Sequence, residues 1–108
     1  MISLSRKGVI LLKKRYLITY DLNKPGQNYS ELIEAIKAAG DGGYVRICQS
    51  AFLICSSLQT AHEVFRALTR GLDRNDDVFI SEVTSNREYY LPDKEQLTQE
   101  VENLFRGY

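Results

Sequence analysis

The sequence has few of the residues that form disulfides, ligate metals or span membranes. Its 108 residues include no tryptophan, one histidine, two prolines and two cysteines, and its apolar runs fall short of the about 20 residues of a transmembrane helix. Cys48 and Cys55 fit neither a disulfide framework nor a zinc-ligand spacing. These shortages argue against a disulfide-rich secreted domain and a membrane protein. We expect one soluble domain with its own core in a reducing cytoplasm.

The charges are balanced overall but unevenly placed. Residues 1–15 carry five basic side chains and no acidic one, whereas the rest of the chain carries 9 basic and 14 acidic side chains. Proteins that grip a nucleic-acid backbone usually show a stronger basic excess. We therefore expect the amino-terminal segment to be a solvated, positively charged end, with a local phosphate-binding arm as the alternative.

Hydrophobic periodicity predicts the order strand, helix, strand, strand, helix, strand. This order is typical of an α+β, ferredoxin-like β-α-β-β-α-β fold, in which two helices cover one face of a four-stranded antiparallel sheet. The predicted division of the chain is a basic extension over 1–14, the ferredoxin-like domain over 15–85 and a helical extension over 86–108.

Helix boundaries follow from capping signals, which pair a side chain before the helix with one three residues later. The predicted pairs are Asn28 with Glu31 (Ser30 being a competing N-cap), Thr60 with Glu63, and Asp93 with Gln96.

The carboxyl-terminal helix is amphipathic. Leu97, Val101, Leu104 and Phe105 recur at helical spacing and form one apolar face. This face is expected to pack on its own domain or, alternatively, against a dimer or protein partner.

Asp21 is the sharpest chemical signal in the chain. It ends the apolar, β-prone run of residues 16–21 (YLITYD), and the following Leu22–Gly26 cannot continue a strand. A carboxylate at a strand end can bind Mg²⁺ or Mn²⁺, or it can simply initiate the turn by accepting backbone N–H groups. A twofold dimer would supply a second Asp21 to the same ion. The pattern leaves both roles open.

Three short stretches resemble one family. The strand ending Tyr20-Asp21, the junction 49–52 (QSAF) and the strand 77–80 (DVFI) resemble the Cas-two family of CRISPR-associated proteins. The run 20–29 (YDLNKPGQNY) is still more similar to the small VapD-like and SinR-like relatives of that family. The first helix departs from the pattern: the basic residues expected on it are missing, and Glu31, Glu34 and Lys37 stand on its polar face instead.

The resemblance implies a ferredoxin-like homodimer whose two Asp21 carboxylates bind magnesium at the interface. It implies either a metal-dependent nuclease acting on RNA or DNA, or a non-catalytic scaffold. On this basis Asp21 and Ser50 are the predicted catalytic residues and Asp21 the metal ligand. The predicted substrate-binding residues are Tyr20, Asn23, Gln49 and Phe52.

Overall fold

The computed structural model describes residues 2–4, 10–21 and 29–107. In chain order, the elements in these residues are β1 (Ile2–Leu4), β2 (Ile10–Leu12), β3 (Lys14–Asp21), α1 (Ser30–Ala39), β4 (Gly43–Cys48), β5 (Ala51–Ser56), α2 (Ala61–Leu68), β6 (Asp77–Val83) and α3 (Glu95–Leu104). A single 3₁₀ turn, Thr69–Gly71, continues α2.

The four strands β3 to β6 form one antiparallel sheet in the order β4-β5-β3-β6. β5 lies between β3 and β4 and is antiparallel to both, so β3 and β4 run in the same direction. β6 pairs with the other side of β3. The predicted α+β class with a four-stranded antiparallel sheet is therefore confirmed. β1 and β2 pair separately with each other, in the segment for which the sequence predicts only a basic extension.

Helices α1 and α2 pack on the first face of this sheet. Alternate residues of β3 and β5 point to that face, where they form a buried apolar core with one stripe from each helix. The central members of the core are Tyr16, Ile18, Phe52, Ile54, Leu32, Ile36, Val64 and Leu68. Apolar residues that recur at helical spacing in α1 and α2 are buried in this core.

Helix α3 packs on the second face, so its apolar side is buried within its own chain. Val101, Leu104 and Phe105 form a core cluster there with Val45 and Cys55. The structure thus places this face on its own domain, which is the first of the two arrangements expected from the sequence.

No helix in the described part of the chain has the length and apolarity needed to cross a membrane.

Arg15 fixes the carboxyl end of α3 to the sheet. Its side chain is only 2% exposed. Nε donates to the Leu104 carbonyl at 2.9 Å, and Nη2 donates to the Arg106 carbonyl at 3.2 Å. The carbonyls at a helix carboxyl end carry a partial negative charge, which stabilises a cation in this position.

The helix starts test the capping predictions one by one. The Thr60–Glu63 box is confirmed, with the Glu63 amide donating to Thr60 Oγ1 at 3.1 Å. Helix α1 begins at Ser30 without a side-chain cap, and Asn28 lies outside the described residues. The Asp93–Gln96 box is wrong: Asp93 has φ 58° and lies in a turn, so α3 begins only at Glu95. Asp tolerates this left-handed conformation better than most residues.

Tyr16 makes the stability of the fold fall at alkaline pH. Its side chain is fully buried and its hydroxyl donates to the Leu58 carbonyl at 2.7 Å. Burial, and secondarily the charge of Glu82, raises the pKa of Tyr16 from 10.0 to about 12. Because the native state holds this proton more tightly, stability is full below pH 10 and falls by about 2–3 kcal/mol as the pH rises to 12.

Denaturant unfolding at stepped alkaline pH measures this loss. We expect a shallower decline in Tyr16→Phe, which has no phenol to ionise, and an unchanged decline in the control Tyr90→Phe, since Tyr90 is 85% exposed. Parallel declines in the wild type and Tyr16→Phe would contradict the assignment.

Candidate functional site

A cavity opens where β3 ends and the β4–β5 turn begins. The amide of Tyr20 donates to the Ser50 carbonyl at 3.0 Å, which brings the turn of residues 49–50 beside the end of β3. The cavity has a volume of about 340 Å³ and is lined by Tyr20, Asp21, Tyr29, Arg46, Gln49 and Ser50. Four of these residues, namely Tyr20, Asp21, Gln49 and Ser50, are predicted from the sequence, and the structure brings all four together.

Tyr20 and Arg46 hold the turn in place through one acceptor. The buried Tyr20 hydroxyl donates to the Gln49 carbonyl at 2.8 Å, and Arg46 Nη2 donates to the same oxygen at 2.8 Å. Burial raises the pKa of Tyr20, while the nearby Arg46 cation acts in the opposite direction. Tyr20 therefore remains a neutral hydrogen-bond donor at physiological pH.

Arg46 is the cation of the site, and sequence reasoning missed it. Its guanidinium carbon lies 5.3 Å from the centre of the Phe52 ring, so the side chain is positioned by both a carbonyl and an aromatic face. A guanidinium has five N–H donors, more than the single Gln49 carbonyl can accept, and the side chain is exposed. The signal that identifies it is the register, in which Arg46 lies opposite Phe52.

Asp21 lies at the rim of the cavity, exposed to solvent. In the β3–β6 register its direct partner is Asp77, so the two residues lie side by side at this end of the sheet. Across the described ranges, no hydrogen bond or ion pair engages the Asp21 carboxylate. Its turn-forming role depends on residues 22–28, which lie outside the described residues, as does the predicted substrate-binding residue Asn23.

A second cavity lies on the other side of Asp21. It has a volume of about 390 Å³, and Asp77 and Phe79 line it together with Thr19 and Asp21. The Phe79 side chain is 66% exposed although it is a large apolar group on a strand. Asp21 thus lines both cavities, and the second of them opens beside the exposed Phe79 on the second face.

The remaining predicted residues separate into two groups. Ser50 is exposed at the first cavity, with Oγ 3.9 Å from Cys48 Sγ. Phe52 is buried in the core, and its ring lies under Arg46. Tyr29, which sequence reasoning did not select, lines the cavity with its ring 6.4 Å from that of Tyr20.

The described residues contain no group of three or more His, Cys, Asp or Glu side chains arranged to hold a metal ion. Comparison of the chain with protein-family models, with curated proteins and with solved structures finds no match.

Proposed function

We propose that this protein is a magnesium-dependent ribonuclease that hydrolyses phosphodiester bonds at the cavity beside Asp21. The observation that carries the proposal is the shared cavity itself, which Asp21 and Arg46, both exposed, line together. A carboxylate suits a hard divalent cation, and a guanidinium suits a phosphate. RNA is the preferred substrate, with DNA as the less favoured one.

The carboxylates at and beside Asp21 suit a magnesium ion that keeps most of its water ligands. Mg²⁺ keeps several water ligands and is commonly held by one or two carboxylates. Asp21 would supply one, with the second from Asp21 of a second copy or from Asp77 of the same chain. Bound there, Mg²⁺ would activate water and neutralise the charge that develops on the phosphate. Mn²⁺ has the same ligand preference.

The chain's own residues orient the substrate. Arg46 binds the nonbridging oxygens of the scissile phosphate, and the Ser50 hydroxyl donates to that phosphate or to ordered water. Tyr20 positions both by fixing the Gln49 carbonyl. Hydrolysis consumes one water: its oxygen bonds to phosphorus, the bond to the leaving oxygen breaks, and that oxygen takes up the proton.

A ferredoxin-like fold and a homodimer are part of the proposal. The insertion of β5 between the parallel strands β3 and β4 supports the fold. The exposed Phe79 beside Asp21 and Asp77 supports a dimer contact on the second face. Since α3 packs near Arg15, at the opposite end of β3 from Asp21, it leaves that region uncovered. These features agree with the Cas-two and VapD-like resemblance.

A cleavage assay tests the proposal. The purified protein is expected to cut single-stranded RNA in Mg²⁺ and to stop when the ion is chelated, with activity restored by added Mg²⁺ or Mn²⁺. Size-exclusion chromatography with light scattering should report a dimer. Cleavage that continues at full rate under chelation would refute the metal-dependent mechanism.

The second candidate is a non-catalytic dimer that binds nucleic acid or another protein. Exposed aromatic and cationic side chains beside the cavity favour nucleic acid, because such contacts bind a strand without chemistry. Asp21 would then only form the turn. This candidate predicts RNA binding with equal affinity in the presence and absence of Mg²⁺, and no cleavage product.

A further inference from the structure

A row of two cationic and two aromatic side chains leads away from the cavity beside β4. It consists of Lys37, Tyr44, Phe52 and Arg46, and we refer to it as the β4 track. Lys37 Nζ lies 5.6 Å from the Tyr44 ring centre, the Tyr44 and Phe52 rings are 6.4 Å apart, and Arg46 lies over Phe52 at 5.3 Å. These contacts link the four side chains into one row, which ends at the cavity through Arg46.

The β4 track exposes the groups that bind a nucleic-acid strand. The Tyr44 side chain is 46% exposed, whereas Phe52 is buried and supports the row from below. Lys37 pairs with Glu34 at 3.9 Å, but both side chains are exposed and such a pair contributes little. Its ammonium group can therefore exchange Glu34 for a phosphate.

The cavity supplies a second aromatic surface. Tyr29 is 41% exposed at its rim, and the cavity volume of about 340 Å³ suits one nucleotide. Tyr44 and Arg46 are two residues apart on a strand, a separation of about 6.6 Å. A single-stranded backbone covers this distance in one nucleotide step.

We propose that the protein binds single-stranded nucleic acid with one base on Tyr29 in the cavity, the adjoining phosphate on Arg46, and the next base on Tyr44 with its phosphate at Lys37. This proposal rests on the proposed nuclease function and names its substrate as an unpaired strand. Paired bases in a duplex are stacked on one another and do not offer their faces to tyrosines. The net charge of zero is consistent with a short contact that depends on stacking.

Fluorescence anisotropy in the Asp21→Asn background, where the probe stays intact, tests this arrangement. The probes are a labelled single-stranded RNA of about eight nucleotides, a hairpin of the same composition, and a nucleoside monophosphate detected by competition. We expect Tyr44→Ala to weaken binding of the single strand about tenfold and to leave the monophosphate unchanged. Tyr29→Ala should weaken both, and Tyr44→Phe should bind like the parent.

Tyr90→Ala is the matched control, because Tyr90 is 85% exposed and lies outside the β4 track. Circular dichroism verifies that each variant is folded. Equal affinity of Tyr44→Ala and Tyr90→Ala for the single strand, or equal affinity of the parent for hairpin and single strand, overturns the β4 track. If the wild type cuts RNA and Tyr44→Ala binds the single strand normally, the β4 track proposal is rejected and the proposed nuclease function is kept. If Tyr44→Ala weakens binding and the wild type does not cut RNA, the proposed nuclease function is rejected and the β4 track proposal is kept.

Discussion

Asp21→Asn is expected to lower the rate of Mg²⁺-dependent RNA cleavage by about 100- to 1,000-fold. Asparagine keeps the size of the side chain but removes the charge that is proposed to hold a divalent cation. The residue is exposed at the end of β3, so the substitution should leave the fold intact. Initial rates at saturating Mg²⁺, together with the melting temperature, measure the two effects separately.

The matched control for this substitution is Asp93→Asn. Asp93 is also exposed, and its left-handed backbone, with φ 58°, is one that asparagine adopts readily. It should therefore change neither rate nor stability. An Asp21→Asn protein with full activity would leave Asp21 with only its turn-forming role.

The same variant distinguishes a shared ion from an ion held within one chain. If the two Asp21 carboxylates of a dimer bind one ion, a mixed dimer is inactive. After subunit exchange, an equal mixture of wild type and Asp21→Asn then retains about a quarter of the activity of wild type at the same total protein concentration. If each chain works alone with Asp77 as its second carboxylate, the mixture retains about half. In that second case Asp77→Asn should be as inactive as Asp21→Asn, because Asp77 is the direct register partner of Asp21.

The sequence predicts the parts of this molecule that depend on local pattern. Runs of β-prone apolar residues identify the strands around Tyr16–Asp21 and Val78–Val83, and the Thr60–Glu63 box marks the start of α2. The predicted succession of strand, helix, strand, strand, helix and strand implies a four-stranded antiparallel sheet, which the structure has.

Only some residues of the candidate site can be predicted from the sequence, because the site is assembled from several strands. Asp21 and Ser50 can be found because they end or interrupt apolar runs. Arg46 and Tyr29 carry no such local signal; they join the site through the register with Phe52 and through the position of α1. Phe52, selected by resemblance, is a core residue that supports Arg46 from behind. Asp93 shows the opposite error, a good capping pattern that the turn after Pro92 overrides.

Arg15→Met should lower the free energy of unfolding by about 3 kcal/mol, the largest stability loss we expect from a single charged residue. The substitution removes donors to the Leu104 and Arg106 carbonyls and to the Lys13 carbonyl at 3.1 Å. Methionine fills much of the space but cannot donate, so buried carbonyls at the end of α3 lose their partner. Urea unfolding measures the loss, and the exposed Arg66→Met on α2 is the control.

The same substitution separates the stability of α3 from the chemistry of the cavity. Arg15 and Asp21 lie at opposite ends of β3, about 20 Å apart along the strand. Hydrogen exchange should therefore accelerate in α3 and leave the amides around Tyr20 and Ala51 protected. RNA cleavage well below the melting temperature should stay within about twofold of the wild type, because none of the cavity residues contacts α3 through Arg15. A large loss of cleavage in a folded Arg15→Met protein would instead mean that the docked helix and the Asp21 cavity are energetically coupled.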